Sequence, residues 1–337
     1  MSDPIIDIHI HFGAPDDPAS GCYWSEEFTK SPAYTAMLLL TKFLFKKVDI
    51  SRIKKHMFKT VKDSKCVNQF VFLALDQVYD EFGNVHKDQT HLHVPNNYLE
   101  SLAEENDRVL FGASVHPYRN DWEQELDYCL GKRAVLCKWI PSAQMIDPSH
   151  QKCTNMYQKL AQHRLPLLCH VGPEYTIPSA APDPERYNNP DLLVPALDRG
   201  VIVIMPHCAM PYFGPLDKPI YEQYFERFLN LMDKADANGW NLYADLSAIC
   251  IPTRSEYVSR VLNRVPPKRL LFGSDYPILL TEFCYHRGES FWARLMFFIK
   301  MAFMENLLDK NYYLIKEMGF DESVFTNASD LFANIQY

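Results

Sequence analysis

Short runs of apolar residues recur along the chain, and most of them are apolar throughout rather than alternating with polar positions. Strands that are apolar on both faces are typical of buried parallel sheets. Eight such runs, each followed by a connecting segment, predict an α/β protein that forms a closed (β/α)8 TIM barrel. The runs cover residues 5–12, 70–75, 109–116, 134–140, 166–171, 201–208, 242–248 and 270–276.

The segments between these runs carry the apolar spacing of amphipathic helices, as in NNYLESLAEEND and YEQYFERFLNLMDKADANG. The first connection, at about residues 13–65, is much longer than a standard crossover and predicts a helical insertion that partly covers the barrel mouth. The tail after about residue 304 predicts extra C-terminal helices on the outside. We therefore predict one domain over residues 1–337, since α/β barrels of this length are common.

Charge, hydropathy and cysteine content argue against nucleic-acid-binding, membrane-associated and disulfide-bonded proteins. The formal net charge is −8, which gives no electrostatic reason to expect nucleic acid as a partner. No apolar run is long enough to cross a bilayer, and the N-terminus lacks the basic start of a signal peptide, so we expect no membrane association. The nine cysteines are scattered without a CxxC pair, which favours reduced thiols and a cytoplasmic protein. The expected partner is a small-molecule substrate, and a homodimer is possible.

Polar residues that can bind metal stand at the ends of four of the predicted strands. The first strand ends in His9-x-His11, whose side chains point to one face because residues two apart in a strand do so. His170 ends the fifth strand, His207 the sixth and Asp275 the eighth. A lone histidine at a strand end is usually structural, but the carboxyl ends of all barrel strands meet at one mouth. The set together therefore predicts a metal site.

These motifs resemble the amidohydrolase superfamily, in its amidohydrolase-related branch that includes the aminocarboxymuconate semialdehyde decarboxylase-like proteins. The matching segments are DIHIHF, HVG, PHC, GSDYP and the terminal FTNASDLF, which together span almost the whole chain. The resemblance implies one divalent ion, most often zinc, held by His9, His11, His170 and Asp275. It also implies that His207 positions or deprotonates a water, and that Asp275 shuttles the proton.

Lys138, in the fourth predicted strand, can be interpreted in two ways. The resemblance allows a carbamylated lysine that bridges two metals, or an unmodified lysine that contacts substrate or other site residues; we favour the unmodified form and a catalytic role. A buried ammonium is costly unless it is paired. We therefore expect Lys138 to point towards the mouth and to have an anionic partner.

Four further residues are candidates for substrate binding because they follow predicted strands. They are Asp76, Trp139, Tyr175 and Arg254. The guanidinium of Arg254 could hold a substrate carboxylate with two hydrogen bonds. The second HxH, His91-x-His93, lacks a flanking apolar strand, and we reject it as the primary metal site.

Three functions remain open. The first is metal-dependent hydrolysis of a small, carboxylate-bearing amide, ester or lactone by an activated water. The second is non-oxidative decarboxylation of an aromatic or unsaturated acid with the same ligands. The third is a barrel that binds a ligand without catalysis. We favour an enzyme, because every expected metal and proton-transfer position is occupied by a competent residue. The sequence does not separate the first two functions, and we name the hydrolase first and the decarboxylase as the alternative.

Overall fold

Eight parallel strands form the centre of the protein. A computed structural model describes residues 3–43, 48–278, 280–284 and 291–337. The strands follow one another around the sheet in chain order, each parallel to the next. We number them β1 (Ile6–His11), β2 (Gln69–Leu73), β3 (Val109–Ala113), β4 (Leu136–Trp139), β5 (Leu167–Cys169), β6 (Val203–Met205), β7 (Leu242–Asp245) and β8 (Leu270–Leu271).

The sheet closes between its first and last strands. The N–H of Ile8 donates to the carbonyl of Phe272 at 3.1 Å, and Ile10 forms a parallel bridge with Tyr276. This confirms the predicted (β/α)8 barrel. Each strand is shorter than the apolar run that predicted it, because the last residues of each run turn into the loops of the mouth.

The α-helices surround this barrel and extend it at both ends of the chain. They are α1 (Glu26–Thr29), α2 (Pro32–Leu40), α3 (Ile50–Asp63), α4 (Asn96–Glu105), α5 (Trp122–Gly131), α6 (Pro141–Gln144), α7 (Cys153–His163), α8 (Val194–Leu197), α9 (Pro219–Ala235), α10 (Ser255–Arg264), α11 (Phe291–Ala302), α12 (Leu307–Glu317) and α13 (Asn327–Ala333). Short 3-10 turns cover Lys87–Gln89, Pro184–Asn188, Pro190–Leu193, Pro206–Ala209, Gly214–Leu216, Pro252–Arg254, Pro267–Arg269 and Glu322–Phe325.

The predicted insertion after β1 contains α1, α2 and α3. The side chains of Ser25, Ser31 and Asp49 each accept a hydrogen bond from a backbone N–H in the first turn of the helix that follows. Helix α3 buries one apolar face through Ile53 and Val61. The insertion also includes the strand Tyr23–Trp24, which pairs antiparallel with Leu92–His93. It therefore forms a wall beside the mouth.

The predicted C-terminal helices are present as α12 and α13. The carboxylate of Asp309 accepts hydrogen bonds from the hydroxyl of Ser64 and from the N–H groups of residues 65 and 66, which ties α12 to the end of the insertion. The amide of Asn327 donates to the carbonyls of Pro267 and Leu270, each at 2.9 Å. These contacts join the tail to the barrel.

No helix in the described part of the chain is both long enough and apolar enough to span a membrane. All nine cysteines are free thiols, and eight of them are buried. The prediction of a chain without disulfide bonds agrees with this structure. A free cysteine in such surroundings packs as a small apolar residue.

Candidate metal centre

Three ligand atoms converge at the carboxyl ends of β1 and β8. Nε2 of His9 lies 3.1 Å from Nε2 of His11 and 3.4 Å from Oδ1 of Asp275. Nε2 of His11 lies 3.0 Å from the same carboxylate oxygen. The alternation of side chains along β1 brings both imidazoles inside the barrel. These three residues could together hold a metal ion.

The distances between these three atoms suit an ion with tetrahedral coordination. Ligand atoms about 2.0–2.1 Å from such an ion are about 3.3–3.4 Å apart. The observed separations of 3.0, 3.1 and 3.4 Å are close to that value. Two imidazole nitrogens and one carboxylate oxygen are also the ligand types that zinc accepts in catalytic sites. The residues present therefore fit a divalent ion.

Asp245, at the end of β7, orients His9. Its Oδ2 lies 2.8 Å from Nδ1 of His9, and both groups are fully buried. Since the carboxylate can only accept, Nδ1 of His9 carries the proton and Nε2 keeps its lone pair for a metal. A carboxylate that accepts from a ligating histidine in this way fixes the tautomer and the ring orientation. Sequence analysis missed this residue, although a lone aspartate at the end of the seventh apolar run was visible.

The same carboxylate also positions His207. Oδ1 of Asp245 accepts from the backbone N–H of His207 at 2.9 Å and from that of Ser247 at 3.0 Å, and it is hydrogen-bonded to the Ser247 hydroxyl. With its proton given to Asp245, the Ser247 oxygen accepts from Nδ1 of His207 at 2.7 Å. Nε2 of His207 is thereby left without a proton, 3.8 Å from Oδ2 of Asp275.

His170 lies beside this cluster without joining it. Its ring centroid is 5.4 Å from that of His207. Its Nε2, however, lies 3.1 Å from the carbonyl oxygen of Pro173 and 3.7 Å from a carboxylate oxygen of Glu174. The clusters of possible ligand atoms in the described residues do not include it. The structure thus brings together three of the four ligands that the resemblance implies.

Lys138 reaches the centre from β4. It is 1% exposed, and its Nζ lies 3.2 Å from Nε2 of His9. No carboxylate oxygen of the described residues lies within 4.0 Å of it, so the expected anionic partner is replaced by an imidazole. Burial lowers the pKa of the Lys138 ammonium below its ordinary value, while the charges of Asp275 and Asp245 oppose this.

Burial and mutual charge set the protonation of the centre. Burial lowers the pKa of His207 to about 3, so its imidazole is neutral near pH 7. Burial also lowers the pKa of His9. Burial alone would raise the pKa of Asp275, but the nearby His207, His9 and His11 hold it well below the ordinary range. Ionised Asp275 beside neutral imidazoles is the state that binds a cation.

The backbone at the centre is strained and tightly packed. His207 and Asp275 both adopt left-handed conformations, with φ of 57° and 61°. Such residues cost of order 1–3 kcal/mol and cluster at functional sites. A Cβ added to Gly273 would lie 3.0 Å from Cβ of His9 and 3.3 Å from Cβ of Ser247. A larger residue at this position would push against His9 and Ser247, so glycine suits the close approach of the chain after β8 to His9.

The centre opens into a cavity of about 550 Å³. His11, His170, His207 and Asp275 form part of its floor, and the insertion supplies one wall. Most of the lining is apolar. Aromatic lining residues include Phe12, Trp24, Phe28, Phe43, Tyr212 and Phe213. A concave, mainly apolar pocket with a few converging polar groups is typical of a small-molecule site.

Two of the four candidate substrate residues line this cavity. The hydroxyl of Tyr175 donates to Asp217. The guanidinium of Arg254 donates to the backbone carbonyls of residues 248, 210 and 211 at 2.9, 3.2 and 3.2 Å, and it lies over the Tyr212 ring at 5.2 Å. Three of its five N–H donors are therefore engaged by the protein itself.

The other two candidates do not line the cavity, and for Trp139 the structure corrects the predicted position at the mouth. Trp139 follows Lys138, so alternation turns it to the outer face of β4, where it packs on Tyr157 with ring centroids 5.9 Å apart. Asp76 is buried and pairs with Arg119 at 3.1 Å. Neither lines the cavity.

His91 and His93, the pair rejected as the primary metal site, make structural hydrogen bonds. Nδ1 of His93 hydrogen-bonds the carbonyl of Leu75 at 2.8 Å, and Nδ1 of His91 lies 2.9 Å from the hydroxyl of Ser25. Both rings tie loops together, and neither belongs to a cluster of possible metal ligands among the described residues.

Comparison with known protein families shows the family to which this chain belongs. The family model described as amidohydrolase matches residues 6–295. The chain belongs to the amidohydrolase family. This confirms the resemblance to the amidohydrolase superfamily, and the matched residues include His9, His11 and Asp275. No curated protein sequence matches the chain.

Solved structures similar to this amidohydrolase share its fold. An uncharacterised TIM-barrel protein of Bordetella bronchiseptica has a TM-score of 0.59 and 13% identity, and the match covers 98% of this chain and 99% of that one. A probable 2-pyrone-4,6-dicarboxylic acid hydrolase of Acinetobacter baumannii has a TM-score of 0.54 and 14% identity over 94% and 100% of the chains. A 5-carboxyvanillate decarboxylase of Sphingomonas paucimobilis has a TM-score of 0.55 and 11% identity over 98% and 99%.

The role of Asp245 can be tested by Asp245→Asn. An amide at this position can present an N–H to His9 and no longer selects the tautomer with a free Nε2. We expect the affinity for zinc to fall by about 10–100-fold, as for other carboxylates that orient a ligating histidine. The dissociation constant, measured by competition with a chelator, checks this. Asp191→Asn, which changes an exposed ion pair with Arg227, should bind zinc as the wild type does. Wild-type affinity in Asp245→Asn would contradict the assigned role.

Proposed function

We propose that this amidohydrolase is a zinc-dependent hydrolase that cleaves an ester, lactone or amide with an activated water. The observation that supports it is the convergence of His9, His11 and Asp275 at the floor of a cavity that can hold a small molecule. A bound divalent ion would lower the pKa of a coordinated water towards neutrality and polarise the substrate carbonyl.

The side chains around this centre have distinct tasks. His207, held through Ser247 with its Nε2 unprotonated, is placed to accept a proton at the cavity floor. Oδ2 of Asp275 lies 3.8 Å from that nitrogen, so the carboxylate can take the proton on and return it to a leaving group. Nζ of Lys138 lies 3.2 Å from Nε2 of His9, so this side chain would lie beside a bound ion, and it remains unmodified in this proposal.

Hydrolysis is favoured over decarboxylation by the distribution of positive charge. Decarboxylation would be supported by basic side chains that converge, beside the metal, on the substrate carboxylate. Arg254 is the one arginine or lysine among the described lining residues, and it already donates to three backbone carbonyls. Arg254 was the main reason to expect a substrate that bears a carboxylate. Since most of its donors are used by the protein, that reason is weakened.

The proposal is tested by metal analysis combined with a reaction screen. We expect one zinc per chain, and the hydrolysis of neutral esters, lactones or amides to be detected without release of CO₂. Release of CO₂ from aromatic acids would establish decarboxylation instead. Two metals per chain together with a carboxylated Lys138 would overturn the single-ion site, and a metal-free protein inert to every substrate would leave a ligand-binding barrel.

The task of His207 is tested by His207→Asn. His207 can form a second group of possible ligands with His9 and Asp245, but the proposed site consists of His9, His11 and Asp275, so zinc should remain at one per chain. Turnover should fall by about 100- to 10,000-fold, the usual contribution of a general base. Steady-state kinetics and metal analysis on the same sample check this. If His207→Asn loses its zinc, His207 is a ligand; if it retains full turnover, another group moves the proton.

A further inference from the structure

The cavity continues well beyond the metal centre. From His11, His207 and Asp275 it extends along the insertion to residues of α2 and α3. We call the part lined by α2, α3 and α1 the apolar chamber; its lining residues include Phe28, Ala33, Met37, Leu40, Ile53 and Met57. The chamber is larger than a water and a scissile bond require.

Helix α2 has an unusual composition for its position. Its sequence, PAYTAMLLL, is almost entirely apolar, yet none of its side chains is buried. Six of its nine residues, among them Met37 and Leu38, line the cavity. Apolar surface left against water costs about 25 cal/mol per Å², and an apolar ligand that covers it recovers this energy. The helix is therefore suited to a ligand that displaces water from the chamber.

Another part of the cavity lining is aromatic. The ring of Tyr175 lies 5.2 Å from that of Phe213 and 6.1 Å from that of Tyr212, and the Tyr212 and Phe213 rings are 5.0 Å apart. All three residues line the cavity. Aromatic faces bury large apolar areas and place an alkyl or aryl group well.

Charge in the cavity disfavours an anionic substituent. The described lining residues include two carboxylates, Glu174 and Asp275, and one guanidinium, that of Arg254. Arg254 gives three donors to the backbone, and Glu174 accepts from the N–H groups of Thr176 and Ile177. A dicarboxylate would find little in this wall to replace its hydration.

We propose that the apolar chamber binds a large alkyl or aryl group of the substrate, so that the enzyme acts on neutral esters, lactones or amides with such a substituent. This inference rests on the proposed hydrolytic function. It adds the substrate class: the scissile carbonyl lies at the floor of the cavity, and the apolar substituent extends between α2 and the Tyr175, Tyr212 and Phe213 rings.

A homologous series of neutral lactones tests the proposal. γ-Butyrolactone, γ-octalactone and γ-dodecalactone present the same ring with side chains of none, four and eight carbons. Binding to zinc-loaded His207→Asn protein, in which turnover is slow, is measured by calorimetry. Each methylene that enters the chamber should tighten binding by up to about fourfold. A gain of only about twofold for each of the eight side-chain carbons would amount to about 250-fold, so γ-dodecalactone should bind at least about a hundredfold more tightly than γ-butyrolactone.

Two variants on one helix show whether the chamber is the binding site. Met37→Asp puts a carboxylate into the chamber and should weaken γ-dodecalactone binding at least about tenfold, without changing that of γ-butyrolactone. Leu39→Asp, at a position that is 63% exposed and outside the cavity lining, should behave as its parent. Circular dichroism melting confirms that both variants fold.

The outcomes separate this inference from the proposed function. Tight, chain-length-dependent binding without hydrolysis by the wild type would keep the apolar chamber and overturn hydrolysis of this class. Hydrolysis of γ-butyrolactone with no gain from longer chains would keep the hydrolase and overturn the chamber. If Met37→Asp and Leu39→Asp weakened γ-dodecalactone binding equally, the assignment of the apolar chamber as the binding site would also be overturned.

Discussion

Replacing Asp275 by alanine should release the metal and abolish turnover. Its Oδ1 lies 3.4 and 3.0 Å from Nε2 of His9 and of His11, and it is the one carboxylate of this set of three. Loss of an orienting carboxylate costs about 10–100-fold in metal affinity, so the loss of a ligand should cost more than about 100-fold. Zinc content after dialysis and turnover with added zinc are the measurements.

The matched control for this variant is Asp127→Ala, which removes an exposed carboxylate paired with Lys159. It should retain one zinc per chain and full turnover. Asp275→Asn keeps the volume and one oxygen ligand but loses the charge, so its zinc affinity should lie between those of Asp275→Ala and the wild type. An Asp275→Ala protein that folds, holds zinc and turns over substrate would show that the ion, if present, is bound elsewhere.

A second large effect is expected on stability at acidic pH. Burial lowers the pKa of His116 to about 4 and those of His170 and His207 to about 3, whereas unfolded histidines titrate near pH 6.5. The unfolded chain therefore binds about three more protons between pH 6.5 and 4. Burial raises the pKa of Asp7 to about 7, so the folded protein regains one proton in the same range.

These four groups give a net difference of about two protons, and the lowered pKa values of His9 and His93 add to it, so the unfolded state is favoured as the pH falls. We expect the free energy of unfolding to decrease by at least about 2–3 kcal/mol per pH unit near pH 5.5. Urea unfolding of the metal-free protein at pH 7.5, 6.5 and 5.5 measures this. His116→Gln, which removes one titrating group away from the metal centre, should reduce the slope by about a third to a half. A free energy that stays constant down to pH 5 would mean that these histidines are not neutral in the folded protein.

Metal binding by Asp275 and the loss of stability at acidic pH both depend on the burial of the residues at the cavity floor. Burial keeps the imidazoles of His9 and His207 neutral near pH 7, and the pKa of Asp275 lies well below its ordinary range, so its carboxylate is charged. A neutral imidazole can ligate a metal or accept a proton, and an imidazolium can do neither. The acid sensitivity of the fold is thus the consequence of a site that is ready for a cation at neutral pH.

The sequence by itself determined the barrel. Eight strands that are apolar on both faces and alternate with helical segments bury both faces when they form a parallel barrel surrounded by helices. It also determined that His9 and His11 share a face, since side chains two apart on a strand must do so. The same alternation shows that Trp139 cannot share the face of Lys138. The predicted position of Trp139 was taken from adjacency in the chain, which ignores this parity.

Only the tertiary structure decided which strand ends touch. Asp245 is 236 residues from His9 in the chain, and its pairing with His9 depends on how the strands close around the axis. The orientation of His170 towards Pro173 and Glu174 depends on the path of the loop after β5. Hydrogen bonds of this kind depend on ångström-scale distances and on side-chain rotamers, which hydrophobic periodicity does not encode. For the same reason, the sequence predicted an insertion near the mouth, whereas the apolar chamber against Met37 required the folded packing of α2.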